Sequence, residues 1–377
     1  MKYMAVMSSR ERLLTVIEHK VPDRVPVSTY ELVGYNSKAW ENNDTSYKRL
    51  MDVIREKTDC VVMWDPNSTQ RLACSAYKPN IKTERTREDN AWITKSVLET
   101  PAGILTQITK RIDNVHTNWV TEHWCKTPED VDKMLALPYE PVTYNFTDFQ
   151  RVKTELGDHG IVMPSLADPM VIAAQLMEFG EFTLWAMMET AHFEKCVKIL
   201  HERVMQNLKN MLSVGVADLY RICGPEYATP PYLPPAMFDR FVVPYVREMT
   251  ELVHSKGGKV RVHSHGKIGK VLDMIVATGA DAIDPCEAPP DGDIELADLK
   301  KRAGDKLCIF GNIQLKFLEQ CNTTEIVEIV KKCMDSAKAG GGYVIMPTAA
   351  PINSPLAKKA EENYITFINT ALELGKY

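Results

Sequence analysis

The chain has 377 residues, a formal net charge of −5 and 45% hydrophobic residues. That composition excludes a disordered chain and supports a sizeable core. The slightly acidic balance offers no basic surface for a nucleic-acid backbone, and no apolar run reaches the ~18 residues of a membrane span. Charge arrives early, at Arg10, Glu11 and Arg12, where a secretory leader would be apolar, so a cytoplasmic protein is expected. Nine cysteines without a CxxC pair point to reduced thiols rather than a disulfide framework.

Ser8 and Glu11 have capping-box spacing, and Leu13, Leu14 and Ile17 give the helix after them an apolar face. Pro22-Asp23-Arg24 ends it, and residues 25–30 read as a strand with an early proline. Residues 47–56 read as a helix and residues 60–64 as a buried strand ending at Asp65-Pro66. Residues 67–155 have a different texture, with short alternating stretches such as 91–94 and 105–109 that predict an antiparallel excursion with one wet face. Thr127 is placed to cap a helix starting at Pro128.

From Gly160 the pattern becomes regular, each short apolar strand running into a polar or proline-rich loop. These strands are 161–166, 219–223, 259–263, 282–284, 307–310 and 343–346. Between several of them lie amphipathic helices, one carrying Phe238, Phe241, Tyr245 and Met249 with a kink at Pro244. Gly340-Gly341-Gly342 precedes a strand and reads as a helix end or tight turn. Eight strands alternating with helices predict an α/β fold, a (β/α)8 TIM barrel with N-terminal helices. No glycine-rich phosphate turn supports the competing doubly wound sheet. The expectation is a single barrel domain over residues 1–377, with the insertion at about 67–155.

In such a barrel, chemistry gathers at the carboxyl ends of the strands. Those ends supply Tyr30 and Glu31, Asp65, Ser165 and Asp168, Glu226 and Tyr227, His263 and His265, Asp284, Cys286 and Glu287, and Asn312. His263 and His265 are two apart on a strand and therefore share a face. Two such imidazoles suit one metal ion, with Cys286 or Glu287 as a third ligand, and zinc suits that mixed set. Their plainer role is hydrogen bonding to a bound substrate. Asp65 is a turn cap or a carboxylate that handles a proton. Glu226 is a metal ligand, a base or a solvated loop residue. Cys60, Cys223 and Cys308 sit inside apolar strands and read as core, while Cys321 and Cys333 lie in the late helical region and read as core or surface packing. Trp64, Trp119 and Trp124 are candidates to line a pocket, with core packing favoured for Trp64.

The residues also carry a resemblance. Arg10–Leu14, then Pro22–Val27, then His263-Ser264-His265-Gly266-Lys267, Asp281–Pro285 and Gly311-Asn312-Ile313 resemble the uroporphyrinogen decarboxylase superfamily over nearly the whole chain, in the same order. The resemblance implies a single (β/α)8 barrel. True decarboxylases of the superfamily carry an arginine-rich RQAGR segment near the N-terminus, where this chain has Tyr30-Glu31-Leu32-Val33-Gly34-Tyr35. A porphyrinogen with many carboxylates calls for clustered arginines. Asp65 resembles the strand-two aspartate with which those enzymes bind pyrrole NH groups. The corrinoid-linked methyltransferase branch holds zinc through a His-x-Cys pair on the fifth strand and a later cysteine. Here His263 matches the histidine, His265 stands in place of the first cysteine, and residues 346–351 contain no cysteine.

The resemblance implies methyl transfer between a methylated small molecule and the cobalt of a separate corrinoid protein. The methylated molecule would be a methoxylated aromatic, a quaternary amine or a folate. O-demethylation in anaerobic one-carbon metabolism is one such setting. On this reading His263, His265, Cys286 and Glu287 hold zinc, with Glu226 able to complete the set. Asp65, Glu226 and Asn312 are catalytic, and Tyr30, Glu31, Trp64 and Tyr227 bind substrate. The chain has no DxHxxG corrinoid module of its own, so the corrinoid comes with a partner; self-association as a homodimer is left open. The alternatives are a tetrapyrrole decarboxylase, which an arginine pair facing the mouth would favour, and a non-catalytic barrel.

Overall fold

The computed structural model describes residues 6–377. Helix Ser9–Ile17 starts with the anticipated capping box. Glu11 N donates to Ser8 Oγ (3.2 Å), and Ser8 N donates to the Glu11 carboxylate (2.9 Å). Ser8→Ala is expected to cost about 1 kcal/mol, read by chemical denaturation.

The strands are β1 (Cys60–Met63), β2 (Asn67–Ser68), β3 (Ile81–Glu88), β4 (Ala91–Thr100), β5 (Gly103–Ile112), β6 (Trp119–Glu122) and β7 (Tyr144–Asn145). They continue with β8 (Gly160–Met163), β9 (Ser165–Ala167), β10 (Leu219–Cys223), β11 (Lys259–Ser264), β12 (Ala282–Pro285), β13 (Cys308–Ile313) and β14 (Tyr343–Pro347). Strands β9 to β14 form one parallel sheet in chain order, and β1 and β8 form a separate parallel pair. The anticipated strand over 25–30 is reduced to an extended segment with one bridge, Val27 to Ile345. Ser28 N and Ile345 N bond across to Ile345 O and Pro26 O (both 3.0 Å), while Asp59 N bonds to Val27 O (2.8 Å). Likewise the strand expected over 161–166 is split at Pro164, whose carbonyl accepts from Arg221 N (2.9 Å). Prolines donate no ladder bond, so the sheet is carried across Pro26 and Pro164 by isolated bonds rather than a continuous ladder.

The side chains of these strands divide into two layers. Val61, Ile161, Leu219, Ala282, Cys308, Phe310 and Val344 cluster together over Leu13, Val16 and Ile17 of the N-terminal helix. Their alternates Val62, Val162, Ile222, Val262, Ile283, Ile309 and Ile345 belong to a second cluster shared with the surrounding helices. Period-two alternation with both faces buried is the pattern of a parallel sheet covered on both sides. The N-terminal helix packs against the first of these two layers.

Between β1 and β8 the chain leaves for a four-stranded antiparallel sheet in the order β3-β4-β5-β6. Leu98 and Leu105 pack one face, whereas β3 is exposed along its whole length. The antiparallel pair β2–β7 joins the outgoing and returning chain at Asn67 and Asn145. Thr127 occupies the cap position of helix Pro128–Leu135 without a side-chain cap bond to the helix backbone. Pro244 lies in the first turn of helix Val243–His254, which is separated from Pro235–Phe241 at Val242. Gly340, Gly341 and Gly342 all take positive φ in the turn before β14, as read from the sequence. Among the described residues no helix is long and apolar enough to cross a membrane.

Candidate active site at the strand ends

Strand β11 alternates as its sequence demands. Val260 and Val262 join the outer layer, while Arg261 and His263 take the other face and His265 follows just past the strand. The two imidazoles lie perpendicular with ring centroids 4.6 Å apart. Each has its Nδ1 occupied by a carboxylate from the end of β12. His263 Nδ1 meets Asp284 Oδ2 and His265 Nδ1 meets Glu287 Oε1, both at 2.9 Å. Glu287 also accepts from Gly266 N (2.9 Å). Such carboxylate–imidazole pairs fix ring orientation and leave Nε2 as the working atom.

A cavity of about 590 Å³ opens beside them, lined by His263, His265, Glu226, Tyr227, Phe179 and Tyr232 among others. Glu226 stands on the turn after β10, where its carboxylate accepts from Gly224 N (2.9 Å). Burial raises the pKa of Glu226 against that bond. Behind it, Asp168 is fully buried: Oδ1 accepts from Val171 N (2.9 Å) and Oδ2 has no partner. Burial and the neighbouring Glu226 push the Asp168 pKa well up. Gly224 allows this approach, since a Cβ there would stand 1.7 Å from Asp168 Oδ1.

Burial drives the pKa of His263 down to about 4, against the pull of Asp284. For His265 burial also pulls downward, but Glu287 outweighs it and the pKa is raised. At neutral pH the inner imidazole is therefore neutral and the outer one lies nearer its titration. The unfolded chain protonates this side chain near 6.5 and the folded His263 only near 4. Stability carried by His263 is thus lost as pH falls from about 6.5 to about 4, and is level below that. In metal-free protein this loss is expected to be roughly 3 kcal/mol. Urea titrations at stepped pH should show it in wild type and not in His263→Gln.

Beneath the histidines lies a buried charged layer. Arg221 and Arg261 are register partners on β10 and β11. Arg261 Nε lies 2.9 Å from Asp284 Oδ1, and its guanidinium covers the Phe310 ring at 4.9 Å. Arg221 donates from Nη2 to Tyr30 Oη (2.6 Å) and from Nη1 to Glu31 Oε1 (3.3 Å). The Tyr30 ring stands 6.3 Å from that of His263. This arginine pair was not anticipated as part of the site. Its signal was a charged residue in the middle of each buried strand, in Leu-Tyr-Arg-Ile-Cys and Val-Arg-Val-His. Phe179 and Tyr232 were also missed, because they reach the cavity from a helix and a loop rather than from strand ends.

Other anticipated residues lie elsewhere. Asp65 is neither a turn cap nor at the histidine cavity. Its Oδ1 accepts from Ser165 N (2.8 Å), and it lines a second cavity of about 350 Å³ with Tyr144, Asn207 and Cys223. Gln175 forms a wall common to both cavities. Burial raises the Asp65 pKa. Cys223, read as core, borders this second cavity, and burial holds its thiol up at about 12. Asn312 faces away from the histidines, with Nδ2 donating to Cys286 O (2.9 Å) and Oδ1 near Cys333 Sγ (3.6 Å). Trp64 packs against Phe146 and Phe149, with centroids 5.2 Å away in each case.

The four residues suggested as zinc ligands are not assembled as a set. Cys286 is buried with its thiol toward Ile283 O (3.8 Å), and burial pushes that thiol far from ionisation. Glu287 is bound to His265 instead. Among the described residues no three His, Cys, Asp or Glu side chains converge as metal ligands.

The chain matches the uroporphyrinogen decarboxylase (URO-D) family over residues 102–358. It is 25% identical over 166 residues to the methylcobamide:CoM methyltransferase MtaA of Methanosarcina barkeri, covering 44% of this chain and 46% of that protein. The match therefore spans under half of that relative's length. It is 22% identical over 263 residues to a uroporphyrinogen decarboxylase of Crocosphaera subtropica, covering 67% of this chain and 69% of that one. A solved methyltransferase from Methanosarcina mazei superposes with a TM-score of 0.62 at 16% identity, covering 97% of this chain and 99% of that one, which is a likeness of fold. The family match takes in every strand from β8 to β14, including both that carry the histidines and their carboxylates; the chain belongs to the uroporphyrinogen decarboxylase family.

Proposed function

We propose that this protein transfers a methyl group between a methylated small molecule and the cobalt of a separate corrinoid protein, at the cavity beside His263 and His265. The observation that carries the reading is the pair of imidazoles, each oriented by its own carboxylate, beside a buried Glu226 in a cavity with aromatic walls. The similarity to a methylcobamide methyltransferase supports it. We read residues 1–377 as one (β/α)8 barrel with an insertion at about 67–155, acting in the cytoplasm.

Methyl transfer to cobalt breaks the bond between the methyl carbon and its heteroatom, and a poor leaving group such as an ether oxygen departs more readily as it gains a proton. Glu226, whose pKa burial raises, and His265, whose pKa Glu287 raises, are the groups able to carry that proton. Phe179, Tyr227 and Tyr232 shield the reacting carbon from water and hold a flat or apolar donor. Zinc, the cofactor the resemblance implies, would supply Lewis acidity at the leaving atom and would have the Nε2 atoms of His263 and His265 as its protein donors. Neither Cys286 nor Glu287 is available to it in this arrangement.

The test is to mix the protein and cob(I)alamin with methoxylated aromatics, quaternary amines or methylated folates and follow the cobalt spectrum. Conversion to methylcobalamin with one donor class is expected. Metal analysis of wild type and His265→Ala decides the metal question, and less than stoichiometric divalent metal in wild type would remove zinc from the scheme.

A second reading, decarboxylation of a tetrapyrrole, is favoured by the Arg221–Arg261 pair and by the similarity to a decarboxylase. It predicts porphyrinogen turnover without cobalamin. Two buried guanidinium groups sharing Asp284 are few for a substrate with many carboxylates.

A further inference from the structure

The charged layer under the histidines is incompletely paired. Arg221 and Arg261 are 6% and 2% exposed, yet Arg221 Nε and both Nε and Nη1 of Arg261 have no aligned hydrogen-bond acceptor. Asp284 Oδ1 lies close to Arg261 Nε but outside bonding alignment. Two guanidinium charges thus share one fully buried carboxylate. A buried donor without an acceptor is costly, and such groups call for a missing partner.

Among the described residues, the one further anion at hydrogen-bonding distance of Arg221 comes from the rim. Glu31 reaches Arg221 Nη1 at 3.3 Å, a long contact for an ion pair, and its side chain is 47% exposed. A tight Arg–carboxylate pair is shorter and uses two parallel bonds. Arg221 also holds the Tyr30 hydroxyl through Nη2, which leaves the phenolic proton free to donate to a second acceptor. Tyr30 borders His263. Of the other carboxylates near Arg221, Asp65 is directed to Ser165 N and Glu226 to Gly224 N.

We propose that Arg221 and Tyr30 form an oxyanion-binding subsite in which Glu31 holds the place of a carboxylate or sulfonate carried by the small-molecule substrate. The assignment rests on the methyl-transfer reading for which substrate is meant. It narrows that substrate to one bearing an organic oxyanion within a few bonds of the transferable methyl. A simple quaternary amine without an acidic group would find no partner here. Glu31 swings to solvent when the ligand anion enters, so the charge of the buried layer is never left open.

The experiment is calorimetric titration of the full chain, without cobalamin, with 3-methoxybenzoate, its neutral analogue 3-methoxybenzamide, and 2-methoxyethanesulfonate. One charge-assisted pair predicts at least ~10-fold tighter binding of an oxyanion than of the amide. The tighter of the two oxyanions distinguishes a carboxylate substrate from a sulfonate one. Glu31→Gln removes the competing anion from the rim and is expected to tighten oxyanion binding by ~3-fold or more without changing amide binding. Arg221→Gln is expected to erase the preference, and Arg221→Lys to restore part of it. If Arg221→Gln fails to fold, the Glu31→Gln comparison decides alone. Equal binding of benzoate and amide, no binding of either oxyanion at millimolar concentration, or weaker oxyanion binding in Glu31→Gln overturns the assignment. Oxyanion preference in a protein that moves no methyl group to cobalt upholds this subsite and refutes the methyl-transfer reading.

Discussion

His265→Ala is expected to lower methyl transfer by at least ~10²-fold while leaving the fold within about 1 kcal/mol of wild type. The imidazole stands past the end of β11 with its side chain 38% exposed, so its removal opens no core cavity. Glu287 keeps its bond from Gly266 N, and its carboxylate remains accessible to water. What is lost is the one imidazole of the pair whose pKa is raised rather than depressed. The protonated form of His265 dominates below that raised value. A rate that uses its proton therefore falls as pH rises through it, and His265→Gln should lose that limb of the pH–rate profile. Steady-state rates and thermal unfolding on the same preparations separate the two effects. A variant that is folded and fully active would remove His265 from the chemistry.

Asp284→Ala is expected to destabilise the protein by about 3–5 kcal/mol. Asp284 is fully buried and supports two groups, Arg261 at 2.9 Å and His263 at 2.9 Å. Without it Arg261 keeps its charge in the interior beside Arg221, with no anion between them. Burial alone would raise the Asp284 pKa, but Arg261 and His263 hold it well below the usual carboxylate range. The stability it contributes is therefore complete above the unfolded pKa near ~3.9 and is lost as pH falls toward the lower folded value. Replacing both members, Arg261→Met with Asp284→Leu, is expected to recover most of the loss, because an apolar pair leaves no unpaired charge. Guanidinium denaturation of Arg261→Met, Asp284→Leu and the double variant measures the coupling. A loss below about 1 kcal/mol in Asp284→Ala would mean that water or another group already neutralises Arg261.

The architecture was legible where a strand has two buried faces and clean ends. Lys259–His263 and Ala282–Asp284 declare themselves through apolar alternation, and each observed strand runs one residue further at its carboxyl end. The segment with Val25 and Val27 reads as a strand by the same rule, but Pro26 cannot donate and only a single bridge forms. The convergence of His263 and His265 on one cavity follows from their spacing. The position of Asn312 does not, because its amide is engaged by Cys286 O and lies near Cys333 Sγ, partners that strand-end spacing does not disclose. Cys286 follows Pro285 with a positive φ of 62, which no residue-type pattern discloses, and its thiol ends away from the histidines. Arg221 and Arg261 were hidden for a different reason. Charged residues are seldom fully buried, so a rule that seeks polar groups at strand ends passes over those within the strands.

The most direct test of the central claim follows a methyl group carrying an isotopic label. A labelled methoxylated, amine or folate donor is incubated with the protein and cob(I)alamin in one vessel, and uroporphyrinogen is supplied in another. Mass spectrometry then reads the cobalt-bound methyl in the first and decarboxylated porphyrinogen in the second. The methyl-transfer account predicts label on cobalt from one donor class, dependent on His265, and an unchanged porphyrinogen. Label that stays on every donor while the porphyrinogen loses carbon dioxide would contradict it.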